Sequence, residues 1–292
     1  MTRQERYLKL TFSEGRENLK ESKVFFYLDI NSKVTFNTSE SVSGAINECQ
    51  IEISGLRPET IYYLATSSSL WVQERIKTRI TIESGYKGTE SRIFDGTVTN
   101  AVGDISTPDY KVSIQAISYY KTFLEDQVSL SFPGEVPLSQ IVAKIADLIE
   151  FSFMNSLDED ILVPNYSNEN ATIFQHISIL SNMYRDKINI YVSGPRIYLK
   201  QKGKPLTNVP LKILSEKTGM IGSPQPTIEG CIVLMRMNNS IITGQKVQVE
   251  SIKFPALNGV NYVVQTKFNT GDTKGNNWFT QYRLIREDIY NA

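Results

Sequence analysis

The sequence predicts a mainly β protein with an α+β insert: two β-barrel domains, 1–117 and 204–292, flanking a two-helix-plus-hairpin domain at 118–203. Three observations carry this. Short runs in which apolar and polar residues alternate fill both ends of the chain, spaced roughly 8–12 residues apart as in sandwiches and barrels. Between them the apolar spacing changes twice to i, i+3, i+4, i+7, the period of an amphipathic helix. Turn residues punctuate the runs, as in Ser84-Gly85-Tyr86 and Ser193-Gly194-Pro195.

Taken in order, Tyr7–Phe12 alternates, Lys23–Ile30 is a denser apolar run, and Lys33–Phe36 follows. Cys49–Ser54 alternates and ends at Gly55. Leu56–Thr60 and Ile61–Leu64 read as one short helical turn or a loop. Arg79–Glu83 alternates again. Arg92–Thr99 is a strand interrupted at Asp95-Gly96, where a bulge or sharp bend is expected. After a turn at Gly103–Pro108, Tyr110–Ile117 completes the set. Closing such short strands into a small barrel removes the edges that otherwise invite aggregation.

In the insert, Val136-Pro137-Leu138 starts a helix with Pro137 in its first turn. Leu138, Ile141, Val142, Ile145, Leu148 and Ile149 form its apolar face. A second helix is expected after Asn170 as N-cap, with a stripe of Ile173, Phe174, Ile177, Leu180 and Tyr184. Lys187–Val192 and Arg196–Lys200 read as a hairpin turning at Ser193-Gly194-Pro195. From Pro205 the strand pattern returns at Leu211–Leu214, Gly230–Met237, Gln245–Ile252, Val260–Phe268 and Trp278–Ile285.

Within this last region, Gly219–Ser251 constrains the architecture most. Pro224 and Pro226 exclude a helix there, because proline lacks a donor and restricts the residue before it. Asn238–Ser240 and Thr243-Gly244 read as turns, and Val247-Gln248-Val249 as a strand. Asn269–Asn277 superficially resembles a calcium loop but lacks the bidentate glutamate of an EF-hand. Its glycine pairs suit a long hairpin connection.

Composition narrows the function. Thirty-one basic and 31 acidic residues give zero net charge, which argues against broad attraction to nucleic acid or an anionic membrane. It suits a surface covered by protein partners. No apolar run approaches the ~20 residues that span a bilayer, and Met1–Tyr7 has no apolar signal region. Cys49 and Cys231 lack metal-ligand spacing and are expected as buried free thiols.

His176, the sole histidine, is expected on the surface or in the core of the second helix. One histidine does not supply a His-rich metal site and gives a Ser-His-Asp triad no support. Asp158-Glu159-Asp160 lies on one loop, without the two carboxylates facing across a bond that glycoside hydrolysis needs. A solvated loop is expected, and a peptidoglycan hydrolase built on these residues is the enzyme alternative. No catalytic residue, metal or cofactor is assigned. Fifteen tyrosines, with pairs Tyr62-Tyr63 and Tyr119-Tyr120, suit strand packing and protein contact, or stacking on glycans.

Two groups of motifs carry a family resemblance. Ile80–Tyr86, containing Gly85 and Tyr86, followed by Ser91–Val98, containing Phe94 and Gly96, is similar to a strand pair in hub and tail-tube-like domains of phage baseplates. Thr218–Pro226, containing Gly219, Gly222 and Pro224, then Ile241–Ser251 with Gly244, then Gly271-Asp272 and Trp278, resembles the C-terminal barrel of the same family, the baseplate hub of contractile-tailed bacteriophages. The motifs occur in the family's order over nearly the whole chain.

The resemblance implies tube-like barrels and a homotrimer, whose six barrels make a pseudo-sixfold ring. That ring would adapt the hexameric tail tube to the trimeric central spike. It further implies wedge or tape-measure proteins as neighbours, a place in the virion tail baseplate after assembly in the host cytoplasm, and no enzyme activity. The chain ends about seven residues after its last predicted strand without a glycine-repeat needle, so the spike is expected as a separate chain. The insert is expected at the periphery or lower rim. A β-rich tail-tip or receptor/glycan-binding protein, using exposed tyrosines, is the alternative.

Overall fold

The structure, a computed structural model, describes residues 5–14, 24–44, 46–67, 78–106, 109–119, 121–287 and 289. Lys23, Pro108 and Tyr120, which belong to a strand, a turn and a tyrosine pair expected above, lie outside the described residues. The N-terminal region forms β1 (Arg6–Glu14), β2 (Val24–Asp29), β3 (Lys33–Ser41), β4 (Glu48–Ser54), helix α1 (Pro58–Ser67), β5 (Thr78–Tyr86), β6 (Ser91–Asp104) and β7 (Lys111–Ile117). Alternation sets their faces. β4 buries Cys49, Ile51 and Ile53, while its intervening Glu48, Gln50 and Glu52 face solvent.

Two local expectations change here. Residues 58–67 form a ten-residue helix rather than one turn, because Ile61 and Leu64, three apart, both reach the core. β6 stays paired through Asp95 and Gly96, and its bulges fall on either side. The register skips Ile93 against β5 and Thr99 against β7. Gly96 is required for close approach instead: a Cβ there would lie 2.5 Å from the Ile117 carbonyl oxygen.

The insert contains β8 (Gln127–Pro137), α2 (Leu138–Leu148), β9 (Ser152–Ser156), β10 (Leu162–Thr172), α3 (Ile173–Met183), β11 (Ile188–Val192) and β12 (Arg196–Gln201). β8 and β10 form an antiparallel ribbon. β12 pairs antiparallel with β11 and parallel with β9. α2 buries its predicted stripe except that Leu148 is exposed and Ala146 takes part instead, and α3 buries Ile173, Ile177 and Leu180 while Phe174 and Tyr184 are half-buried against the same core. Pro137 ends β8 with ψ 133 and precedes the helix rather than lying in its first turn. The cap of α3 is Thr172, whose Oγ1 accepts from Gln175 N while Gln175 Oε1 accepts from Thr172 N. Asn170 belongs to β10 with φ 50, because this reciprocal capping box outcompetes a lone asparagine.

Lys200 on β12 is 2% exposed, and its Nζ donates to the carbonyls of Gln201 and Lys204. Burial pushes its ammonium pKa down to about 8. A lysine depressed below its unfolded value makes the unfolded state bind more protons between those values, so its contribution to stability rises with pH from about 8 to about 10.5. Lys200→Met is therefore expected to remove a desolvation cost of up to about 3 kcal/mol at pH 7, offset by about 1–2 kcal/mol for the two carbonyls that lose their donor, and the pH-dependent part disappears by about pH 10.5. The buried thiols Cys49 and Cys231, both pushed up by burial, act oppositely above about pH 9. The measurement is accordingly the difference between wild-type and variant denaturant midpoints across that range.

The C-terminal region adds β13 (Lys212–Ser215), β14 (Gln225–Pro226), β15 (Gly230–Arg236), β16 (Lys246–Glu250), β17 (Asn261–Asp272) and β18 (Trp278–Arg286). β17 pairs antiparallel with β3 from Thr266↔Ser41 to Asp272↔Thr35. That pairing joins both β regions into one 13-stranded sheet, ordered β14-β15-β18-β17-β3-β4-β7-β6-β5-β1-β2, with β16 on β17 and β13 on β16. The protein is mainly β, and no closed ring of strands forms among the described residues. The sheet curls around two cores, one holding Leu10, Phe36, Ile53 and Ile114, the other Val233, Val247, Tyr262 and Tyr282. A third core fills the insert around Ile141, Ile145, Ile177 and Leu199. No helix among the described residues is long and apolar enough to cross a membrane.

Candidate functional site

The nine residues Met237–Gln245, which link β15 to β16, touch all three parts of the molecule. Met237 is 2% exposed and lies in the N-terminal core, where its sulfur accepts from Ser84 Oγ. Asn238 accepts from Tyr282 Oη at 3.0 Å through its carbonyl, and Asn239 Nδ2 donates to the Arg92 carbonyl at 2.8 Å. Thr243 Oγ1 donates to Glu40 Oε1 at 2.5 Å, while the Thr243 carbonyl accepts from Tyr191 Oη of the insert at 2.9 Å. Gly244 N donates to Val264 O, and its own carbonyl accepts from Leu206 N. Side chains of asparagine, threonine and glutamine satisfy a buried turn that cannot use a ladder.

The charged centre of this junction is Lys267 on β17, 2% exposed and opposite Glu40 in the β3 register. Its Nζ donates to Asn239 Oδ1 and to the Ile241 carbonyl. Burial pushes its pKa down, and the Glu40 charge opposes that shift. Removing one partner from such a set leaves an uncompensated buried charge. Beside it, Arg79 grips Asp95 at 2.6 and 2.5 Å, and Arg92 reaches the same carboxylate at 3.1 Å.

These groups line a cleft of about 530 Å³ between β3, β6, the connector and the insert. It holds paired cations, amides and carboxylates, without the nucleophile–base–orienter contact that acyl transfer needs. Among the described residues, no group of three His, Cys, Asp or Glu could hold a metal ion. The arrangement is suited to fixing three parts at set angles.

Of the motif residues, six gather at the seam between the N-terminal core and the β17–β18 hairpin. Trp278 is 2% exposed in the N-terminal core; its Nε1–H donates to the Gly85 carbonyl at 3.0 Å, and its ring meets Phe36 edge-on. Phe94 is in the same core, Gly96 follows it on β6, and Tyr86 packs against it half-buried. Asp272 Oδ1 accepts from Lys274 N and Gly275 N, closing the loop that resembled a calcium site. Arg6 lies against that loop. Its guanidinium donates to the carbonyls of Asp272 and Gly275 and lies 5.5 Å from the Trp278 ring centre. Gly219, exposed Gly222 and buried Pro224 lie apart, between β13 and β14. Gly244 is at the connector's contact with the insert.

The remaining candidates have structural partners. His176 is fully buried; Nδ1 is 2.7 Å from Tyr166 Oη and Nε2 is 3.0 Å from the Val128 carbonyl. Asp160 accepts from Ser139 N at the start of α2, and Asp158 pairs with Lys204. Both cysteines are free and buried. Tyr62 is exposed and Tyr63 half-buried. Sequence reasoning missed Arg6, Lys267, and the stacked Tyr191–Tyr198 pair, whose centroids lie 5.0 Å apart. A lysine at an inward strand position was the only available signal for Lys267.

Residues 8–281 match a family model described as baseplate hub gp41. No curated protein matches the chain. Among solved structures, the 43 kDa tail protein of prophage MuSo2 from Shewanella oneidensis aligns with TM-score 0.59 at 10% identity, over 99% of this chain and 98% of that one. The tail protein from Neisseria meningitidis MC58 aligns with TM-score 0.61 at 8% identity, over 97% and 98%. The E. coli c3393 protein, a component of the type VI secretion system, aligns with TM-score 0.57 at 12% identity, over 95% and 76%. At these identities the likeness is one of fold.

Proposed function

The chain belongs to the baseplate hub gp41 family, and from that premise we propose that it is a structural hub of a bacteriophage tail baseplate, working in the virion rather than as an enzyme. The match carries this reading because it spans both β regions and the insert together, from residue 8 to residue 281. In the finer form of the proposal, 1–117 and 204–292 are two tube-like barrel modules and 118–203 is the insert. Three copies make a ring of six modules that meets the hexameric tail tube, and its threefold face holds the central spike. The insert lies at the rim, against the spike, wedge or tape-measure proteins, and assembly takes place in the host cytoplasm.

Two features of the chain support it physically. A symmetry adaptor needs rigid, shape-complementary faces rather than a polar reaction site. The β3–β17 pairing and the Met237–Gln245 junction supply that rigidity. Negative-stain imaging of the purified chain, with capture of tube and spike proteins, tests the reading. A six-lobed ring that captures both is the expected result. A stable single chain that binds neither would overturn it, and infectious particles assembled with residues 125–200 deleted would overturn the role given to the insert.

A further inference from the structure

The described surface is divided by charge and by exposed aliphatic side chains. All nine acidic residues between positions 122 and 172 are exposed, against one exposed lysine, Lys144. In 204–292 the described surface reverses: seven exposed lysines and arginines stand against two exposed glutamates, Glu229 and Glu250. This second surface also carries large apolar groups along the outer strand β13 and the turn beyond β16. Leu211 is 43% exposed, Ile213 42%, Ile252 80% and Phe254 38%. Lys212, Lys217 and Lys253 are interleaved with them, each exposed.

A strand added to β13 is not what this edge suits. Thr218 Oγ1 accepts from Ser215 N at 2.8 Å and donates to the Ile213 carbonyl at 3.0 Å, so these two outward backbone groups are already occupied. What remains for a partner is a side-chain face, aliphatic and cationic, which calls for an occupant that is aliphatic and anionic. Within the insert the stretch 122–172 has that composition, whereas 173–203 exposes Arg185, Lys187, Arg196 and Lys202; in the first stretch Leu148 (43% exposed) follows Asp147, and Leu162 (56%) lies two residues after Asp160. We propose that the β13 face of one copy docks on the acidic surface of residues 122–172 of a second copy. The inference rests on the multi-copy hub reading and names the surfaces that join its copies. One patch meeting a different patch is a head-to-tail contact, the kind that closes into rings. Complementary charge steers the copies into this register, and apolar contact holds them.

The test uses the full chain in sedimentation velocity. Self-association is expected at about 50 mM salt and at least tenfold weaker near 500 mM, where exposed charges are screened. The triple variant Lys212→Glu/Lys217→Glu/Lys253→Glu should weaken self-association at least tenfold, and Ile252→Ser should weaken it without removing its salt dependence. Mixing the triple variant with Asp147→Lys/Glu159→Lys/Glu169→Lys should restore a hetero-assembly. Unchanged melting temperatures confirm that the variants fold, since every replaced side chain is exposed. Wild-type self-association in the triple variant, no restoration on mixing, or a wild-type chain that stays single at low salt would each overturn the contact. Capture of tube and spike proteins is scored on the same samples. Its failure counts against the hub reading, whereas unchanged self-association with intact capture counts only against this pair of surfaces.

Discussion

Replacing Trp278 with alanine is expected to destabilise the protein by about 3–5 kcal/mol, the range for emptying a large aromatic site in a core. The indole is 2% exposed, edge-on to Phe36, and covered by Arg6. With the usual entropy of unfolding for a chain of 292 residues, that loss lowers the melting temperature by roughly 5–8 °C. Trp278→Phe separates packing from hydrogen bonding. It retains most of the buried area but removes the indole N–H bond to the Gly85 carbonyl, expected to cost about 1 kcal/mol. The location makes the result diagnostic. Trp278 opens β18 of the C-terminal region yet fills the N-terminal core, so hydrogen exchange should accelerate in β3 and β5 as well as in β18. A loss below about 1 kcal/mol, or exchange confined to β18, would show that the two β regions are not coupled through this ring.

That coupling also explains what could be read from the chain and what could not. Strands with one buried face were legible, because burial on alternate positions writes itself into the sequence; β4 and β7 are the clearest cases. Helices α2 and α3 were legible from their stripes. β10 was not. Its Pro164, Asn165, Ser167, Asn168 and Asn170 are turn-forming residue types, and it is a strand because β8 supplies its partner groups, with bulges where Asn165 and Asn170 take positive φ. β8 alternates at Val128, Leu130 and Phe132, but Pro133-Gly134 disguises it as a break. The pairing of β3 with β17 joins residues more than 200 positions apart, and local pattern carries no signal for that. The motif residues entered through the family resemblance, on glycines, a proline, aromatic residues and an aspartate quoted from the sequence. Arg6 and Lys267 were missed because their partners are carbonyls and amides donated by distant turns.

Gly244 gives the second large expected effect, and it probes the junction between insert and sheet. Its φ is +79, a region that costs an L-residue roughly 1–2 kcal/mol. A Cβ there would also lie 2.4 Å from Tyr191 Oη and 3.2 Å from Leu206 Cγ. Tyr191 cannot easily yield, since it is fully buried, stacked on Tyr198 and bonded to the Thr243 carbonyl. Forcing it aside gives up a buried hydrogen bond on top of the overpacking, so Gly244→Ala is expected to cost about 2–4 kcal/mol in denaturant midpoint measurements. The cause can be isolated with a second substitution. Tyr191→Phe alone should cost about 1 kcal/mol, but combined with Gly244→Ala it removes the atom that clashes, so the pair should fall short of additivity by about 1 kcal/mol. Strict additivity would mean that the strained backbone alone sets the cost. A Gly244→Ala variant within about 0.5 kcal/mol of wild type would mean that Tyr191 turns away freely. The hydrogen bond from Tyr191 to the Thr243 carbonyl would then contribute little to fixing the insert on the sheet.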